Sequence, residues 1–165
     1  MATQQTLEGL SELYQGEILG EFLLEGLMLA FTDPDAQQVL GAALQYESET
    51  KARLRPVMVR FGLPLTTADH VRADAEAAVA GLKGLSWPKA LAAAHASLSN
   101  TIVPRFEEIA RIAAADGDPA AIEAANYMVI HETALLEMFG RALAGEANPT
   151  RGVDALLHFP LPSPA

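Results

Sequence analysis

Six residues of this chain could do chemistry together: Glu17, Glu21, Glu47, His95, His131 and Glu132. Placed on a helical wheel at about 100° per residue, Glu17 and Glu21 fall near the middle of an apolar stripe made by Leu10, Leu13, Tyr14, Leu24, Met28 and Phe31. Glu47 falls at the centre of a second stripe, defined by Leu40, Ala43, Leu54, Val57, Met58 and Phe61. Glu132 does so in a stripe of Ala125, Met128, Leu135, Leu136, Phe139 and Leu143, with His131 on its flank. A further stripe, Leu91, Leu98, Ile102, Phe106 and Ile109, carries no central carboxylate; its inward polar residue is His95, with Arg105 at the edge. Several carboxylates in an apolar core are costly unless they are protonated, paired or bound to a cation. The residue types therefore point to one of two arrangements. In one, glutamate oxygens and a histidine nitrogen hold a metal ion. In the other, Lys51, Arg105 and His131 neutralise the glutamates in a metal-free polar core.

The elements that must position these residues are helices. Half of the 165 residues are hydrophobic and only 6% are aromatic, a balance that favours helix over sheet. Asp33-Pro34 and Asp118-Pro119 read as helix starts, each an N-cap followed by proline at the first position. Ser86-Trp87-Pro88 starts another, and Gly62-Leu63-Pro64 ends one. Four long helices follow, over about 5–31, 34–61, 87–115 and 119–145, with Pro56 and Pro104 expected to kink or interrupt two of them. The first two are joined by a tight turn, as are the last two. About 25 residues separate the second from the third, with room for a short helix near 67–83 that starts at Thr66-Thr67-Ala68-Asp69. The tail, 150–165, holds a short helix through Leu157 and an apolar extended stretch, His158 to Pro162, expected to pack on the helices or on a neighbouring subunit.

Two helical hairpins joined by one long crossover make a single all-α domain, a four-helix bundle with ferritin-like connectivity. Counted from the shared end of such a bundle, Glu21, Glu47 and Glu132 lie about 12, 14 and 13 residues in, one level roughly 20 Å deep. Glu17 is then about one turn below and His95 about one turn above.

From Leu7 to Leu143 the chain resembles the ferritin-like superfamily of carboxylate-bridged dimetal proteins, on this topology and on Gly16-Glu17-Ile18-Leu19-Gly20-Glu21, Tyr46-Glu47-Ser48-Glu49-Thr50 and His131-Glu132. In that family one Glu comes from each of two helices and a Glu-x-x-His from each of the other two. The resemblance implies Glu17 or Glu21 as the first-helix ligand, Glu47 as the second-helix ligand, and Glu132 or His131 as those of the fourth. The chain departs from the pattern, because no Glu-x-x-His occurs: Thr50 follows Glu47 and Leu135 follows Glu132 where histidine would stand. Ser99, Asn100 and Thr101 occupy the third helix at the expected level. The resemblance thus implies either a reduced site, with iron or manganese, or a fold without its metal.

Composition removes other classes. With no cysteine, thiolate nucleophiles, Fe–S clusters and Cys-ligated zinc are excluded. A net charge of −10 argues against nucleic acid and against an anionic membrane as partners. No phosphate-binding Gly-rich loop follows a strand. His95, Ser97 and Ser99 do not share one helix face, so they make no hydrolase triad. His70 and His158 read as surface or terminal residues. The N-terminus lacks signal-peptide character, so a cytoplasmic location is expected. The high apolar content suggests a homo-oligomer, a dimer above all. Two functions remain: a non-haem metal-binding oxidoreductase with a reduced site, or a metal-free scaffold that binds a small ligand or a partner.

Overall fold

Proline and aspartate set the helix boundaries as their chemistry requires. In the computed structural model, which describes residues 2–159, α1 spans Gln4–Ala30, α2 Pro34–Arg60, α3 Asp69–Leu82 and α4 Trp87–Ser97. A π-helical segment, Leu98–Ile102, leads into α5, Val103–Asp116, followed by α6, Pro119–Leu143, and α7, Arg151–Asp154. The described residues are all helix and connecting turns. The Asp33 carboxylate accepts from the backbone N–H of Ala36 at 2.9 Å, and Asp118 from that of Ala120 at 3.0 Å. Gly117, at φ +84°, takes the left-handed conformation that ends α5.

One local expectation holds, at Pro104, and two change, at Pro56 and before α3. The third long helix is not continuous: Pro104 cannot donate to a carbonyl one turn back, and the π segment absorbs the fault immediately before it. α2, by contrast, runs through Pro56 to Arg60 as one helix. α3 starts at Asp69 with Ala68 as an uncapped N-cap, so neither threonine caps it. Gln15 of α1 does the fastening, accepting from the Ala68 N–H at 2.9 Å and donating to the Thr66 carbonyl at 3.0 Å.

α1 packs on α2, α3 and α5, and α5 on α6; α6 also touches α1, α2, α4, α7 and the π segment. Close packing of α3 on α1 depends on Gly26, where an added Cβ would stand 2.6 Å from a Val79 methyl. Valine cannot rotate away cheaply. Gly26→Ala is therefore expected to destabilise the protein by about 1–3 kcal/mol, read as a lowered midpoint in urea unfolding.

Two apolar clusters divide the interior. One collects Leu24, Leu27, Leu40, Leu91, Leu135 and Phe139. The other collects Leu10, Leu13, Met58, Phe106, Ile109 and Met128. Along α2 and α6 the change from one cluster to the other falls at Glu47 to Thr50 and at His131-Glu132, and along α1 it falls just after Glu17, between Ile18 and Leu24. In the run from α4 into α5 it falls in the π segment. A buried polar layer thus separates two apolar ends.

The short C-terminal helix is only four residues, Arg151–Asp154, and does not reach Leu157. Beyond it the backbone N–H groups of His158 and Phe159 donate to the Glu49 carboxylate at 2.6 and 2.9 Å, tying the chain to α2. The remainder of the expected apolar tail, 160–165, lies outside the described residues. No helix among the described residues is long and apolar enough to cross a membrane.

Candidate metal centre

The polar layer is built from α1, α2 and α6. Glu17 and His131 are 0% exposed, and Glu47 and Glu132 are 6% exposed. One ligand atom each from Glu17, His131 and Glu132 can be chosen so that all lie within 4.8 Å of one another. His131 Nε2 stands 3.6 Å from a carboxylate oxygen of Glu17 and 3.6 Å from one of Glu47. Those separations are too long for hydrogen bonds. They suit neighbouring ligands of one ion, which stand roughly 3 Å apart when the metal–oxygen bonds are about 2.1 Å. Both Glu17 oxygens and His131 Nε2 are buried without a hydrogen-bond partner.

The far side of the imidazole is held. His131 Nδ1 and the Thr50 hydroxyl are 2.9 Å apart. A proton on Nδ1 donated to Thr50 leaves the Nε2 lone pair facing the glutamates, the tautomer that a metal requires. The Tyr46 ring lies against the imidazole, with centroids 4.3 Å apart and planes at 38°. Thr50→Val is expected to weaken metal binding by about 10–100-fold by releasing this imidazole, read by metal titration of the folded variant.

Burial and mutual repulsion set the protonation states. Burial first, then the charges of Glu47 and Glu132, hold the Glu17 carboxyl well above the usual carboxylate range. Burial pushes Glu132 up to about 8; His131 opposes this and Glu47 adds to it. Burial disfavours a charged His131, but Glu47 and Glu132 outweigh it and raise its pKa. Burial and the neighbouring Tyr127 raise the Tyr46 phenol.

The structure brings together four of the six residues singled out by sequence: Glu17, Glu47, His131 and Glu132. Glu21 is not among them. It accepts from the Ser48 hydroxyl at 2.7 Å and forms an ion pair with Lys51 on the seam between α1 and α2. Level with Glu47 on α1 stands Gly20 instead, where a Cβ would come within 2.6 Å of the Glu47 carboxyl carbon. The missing side chain is what lets Glu47 enter. His95 is half-buried against Gly140, two turns along α6 from Glu132, and so lies outside the cluster. Neither expected partner reaches Glu47: Lys51 is taken by Glu21, and Arg105 binds Glu12 at 2.6 Å and Glu108 at 3.3 Å. His131 moves from the flank to the centre, because α6 is surrounded and buries two adjacent residues in different directions. His70 and His158 are exposed, as expected.

Sequence reasoning assigned no role to Thr50, Tyr46 or Gly20. Tyr46 and Thr50, four residues apart, share one helix face, and Thr50 is one turn from Glu47, which is the signal that places them. The chain matches no protein-family model, no curated protein and no solved structure.

Proposed function

We propose that this chain is a ferritin-like four-helix protein whose Glu17, His131 and Glu132 hold a single iron or manganese ion. Glu47 stands by as a fourth donor. The observation that carries the reading is the convergence of a carboxylate and an imidazole nitrogen that are fully buried and have no hydrogen-bond partner. Buried polar atoms left unpaired cost about 1–3 kcal/mol each, and a cation among them removes that cost. In this reading His131 supplies the nitrogen ligand that Thr50 does not, and Thr50 orients it from behind. Four helices in two hairpins, α1–α2 and the α4–α5 run with α6, support the ferritin-like connectivity, with α3 in the crossover.

Three carboxylates and one imidazole suit a hard or intermediate divalent ion, and leave coordination positions open for a small molecule. Iron or manganese there would supply one-electron chemistry, which makes a non-haem oxidoreductase the activity this site serves best. The chain's own residues would fix the ion, flank it above and below with the two apolar clusters, and hold the imidazole tautomer through Thr50.

The metal-free alternative loses support from the same geometry, since Lys51 and Arg105 are both engaged elsewhere. What remains of it is a proton-shared cluster of glutamates and His131. Elemental analysis after expression in medium supplemented with iron and manganese separates the two. Metal at close to one ion per chain, lost in Glu47→Ala or Glu17→Ala, is the expected result; metal-free protein from such medium would leave the proton-shared cluster.

A further inference from the structure

A cavity of about 710 Å³ opens beside the carboxylates, between α1, α3 and the run from α4 through the π segment into α5. Glu47 and Glu132 line it, but its remaining wall is largely aliphatic and aromatic, with Leu19, Leu23, Leu98, Ile102, Phe106 and Phe139. Local sequence explains why the space exists. Gly16 and Gly20 remove two side chains from the face of α1 that lines the cavity. Ala78, Gly81, Ala93 and Ala94 keep the walls thin on α3 and α4. The π segment contributes Leu98, Thr101 and Ile102, so the widened helical turn forced by Pro104 is spent on the cavity wall. The volume falls within the few hundred to 1,000 Å³ typical of small-molecule sites.

We infer that this cavity receives an uncharged hydrophobic small molecule and presents it to the Glu47 and Glu132 side of the centre. Resting as it does on the metal reading for what happens to that molecule, the inference concerns what the cavity admits. An anion would meet the Glu47 and Glu132 carboxylates at the inner end, where no lysine or arginine stands on the described wall: Arg105, at the margin, is held by Glu12 and Glu108, and His70 lies on α3. A cation would have to compete with the metal for the same glutamates. A neutral apolar body satisfies the walls and leaves the carboxylates to their ion.

The test uses three probes of one chain length, 1-octanol, octanoate and octylamine, titrated calorimetrically into the full-length protein. Metal content is measured on the same samples. Octanol is expected to bind at least tenfold more tightly than octanoate or octylamine. Leu19→Trp and Ala94→Trp, which fill the cavity from opposite walls, are expected to weaken octanol binding at least tenfold with metal content unchanged. Octanoate or octylamine binding as tightly as octanol would overturn the inference. So would undiminished octanol binding in whichever filled variant folds. Octanol binding that the filled variants abolish, in a protein that takes up no metal, would remove the metal reading and leave the cavity assignment standing. Metal without octanol binding would do the reverse.

Discussion

Glu17→Leu is expected to stabilise the metal-free protein and abolish its response to metal. Most large core changes destabilise, so the sign is diagnostic. Glu17 is 0% exposed and neither of its oxygens has a hydrogen-bond partner. Leucine fills nearly the same space and removes an unsatisfied group that costs about 1–3 kcal/mol. The metal-free variant should therefore melt several degrees higher than the metal-free parent, in line with a gain of that size in a chain of this length. Added manganese or iron should raise the parent's midpoint, since a ligand bound to the folded state stabilises by mass action. It should leave the variant's midpoint where it was, and metal affinity should fall by at least about 100-fold, more than the loss of a supporting hydrogen bond produces. Thermal melts of both proteins, with and without metal, measure all of this.

The metal-free protein is also expected to lose stability as pH rises from about 4.5 to about 8. A carboxyl whose pKa is raised on folding binds its proton more tightly in the folded state. Its contribution is fully present below its unfolded value and is lost as pH climbs through the folded one. Glu132, pushed from an ordinary 4.5 to about 8 by burial, opposed by His131 and reinforced by Glu47, sets the upper edge of the window. The protons of Glu132, Glu47 and His131 are linked through their mutual charges, so the loss is shared by the cluster. Glu17, raised by burial and by its neighbours, acts in the same sense. So does His131, where burial lowers the pKa but Glu47 and Glu132 outweigh it and raise it. With metal present the dependence reverses, because the ligands must be deprotonated and binding strengthens as pH rises. Midpoints of the two forms should thus diverge between pH 5 and pH 8. Parallel curves would show that the glutamates do not exchange protons for a cation.

The helices were legible because their punctuation is chemical and local. Asp33-Pro34 and Asp118-Pro119 fix two helix starts at the residues where the structure has them. Glu47 and Glu132 were legible from apolar periodicity alone, since each sits at the centre of a single clean stripe. Glu21 misled because it shares most of its angle on the wheel with Glu17, and only the third dimension puts Ser48 and Lys51 beside it. His131 falls on the flank of the wheel because a wheel assigns one buried face per helix, whereas α6 is enclosed on several sides. His95 had the right face and the wrong level. The π segment shifts helical phase in the same run, and Pro104 announced only that some interruption was due. Gly20 carries no chemistry of its own, so its part in admitting Glu47 becomes visible only from the distance between them.

The most direct test is anomalous diffraction at the manganese edge from crystals grown with Mn(II). A single peak bounded by the carboxylate oxygens of Glu17 and Glu132 and by His131 Nε2, with Thr50 still on Nδ1, is the predicted result. No peak at that point, with the glutamates closed onto one another through shared protons, would contradict a metal centre in this protein.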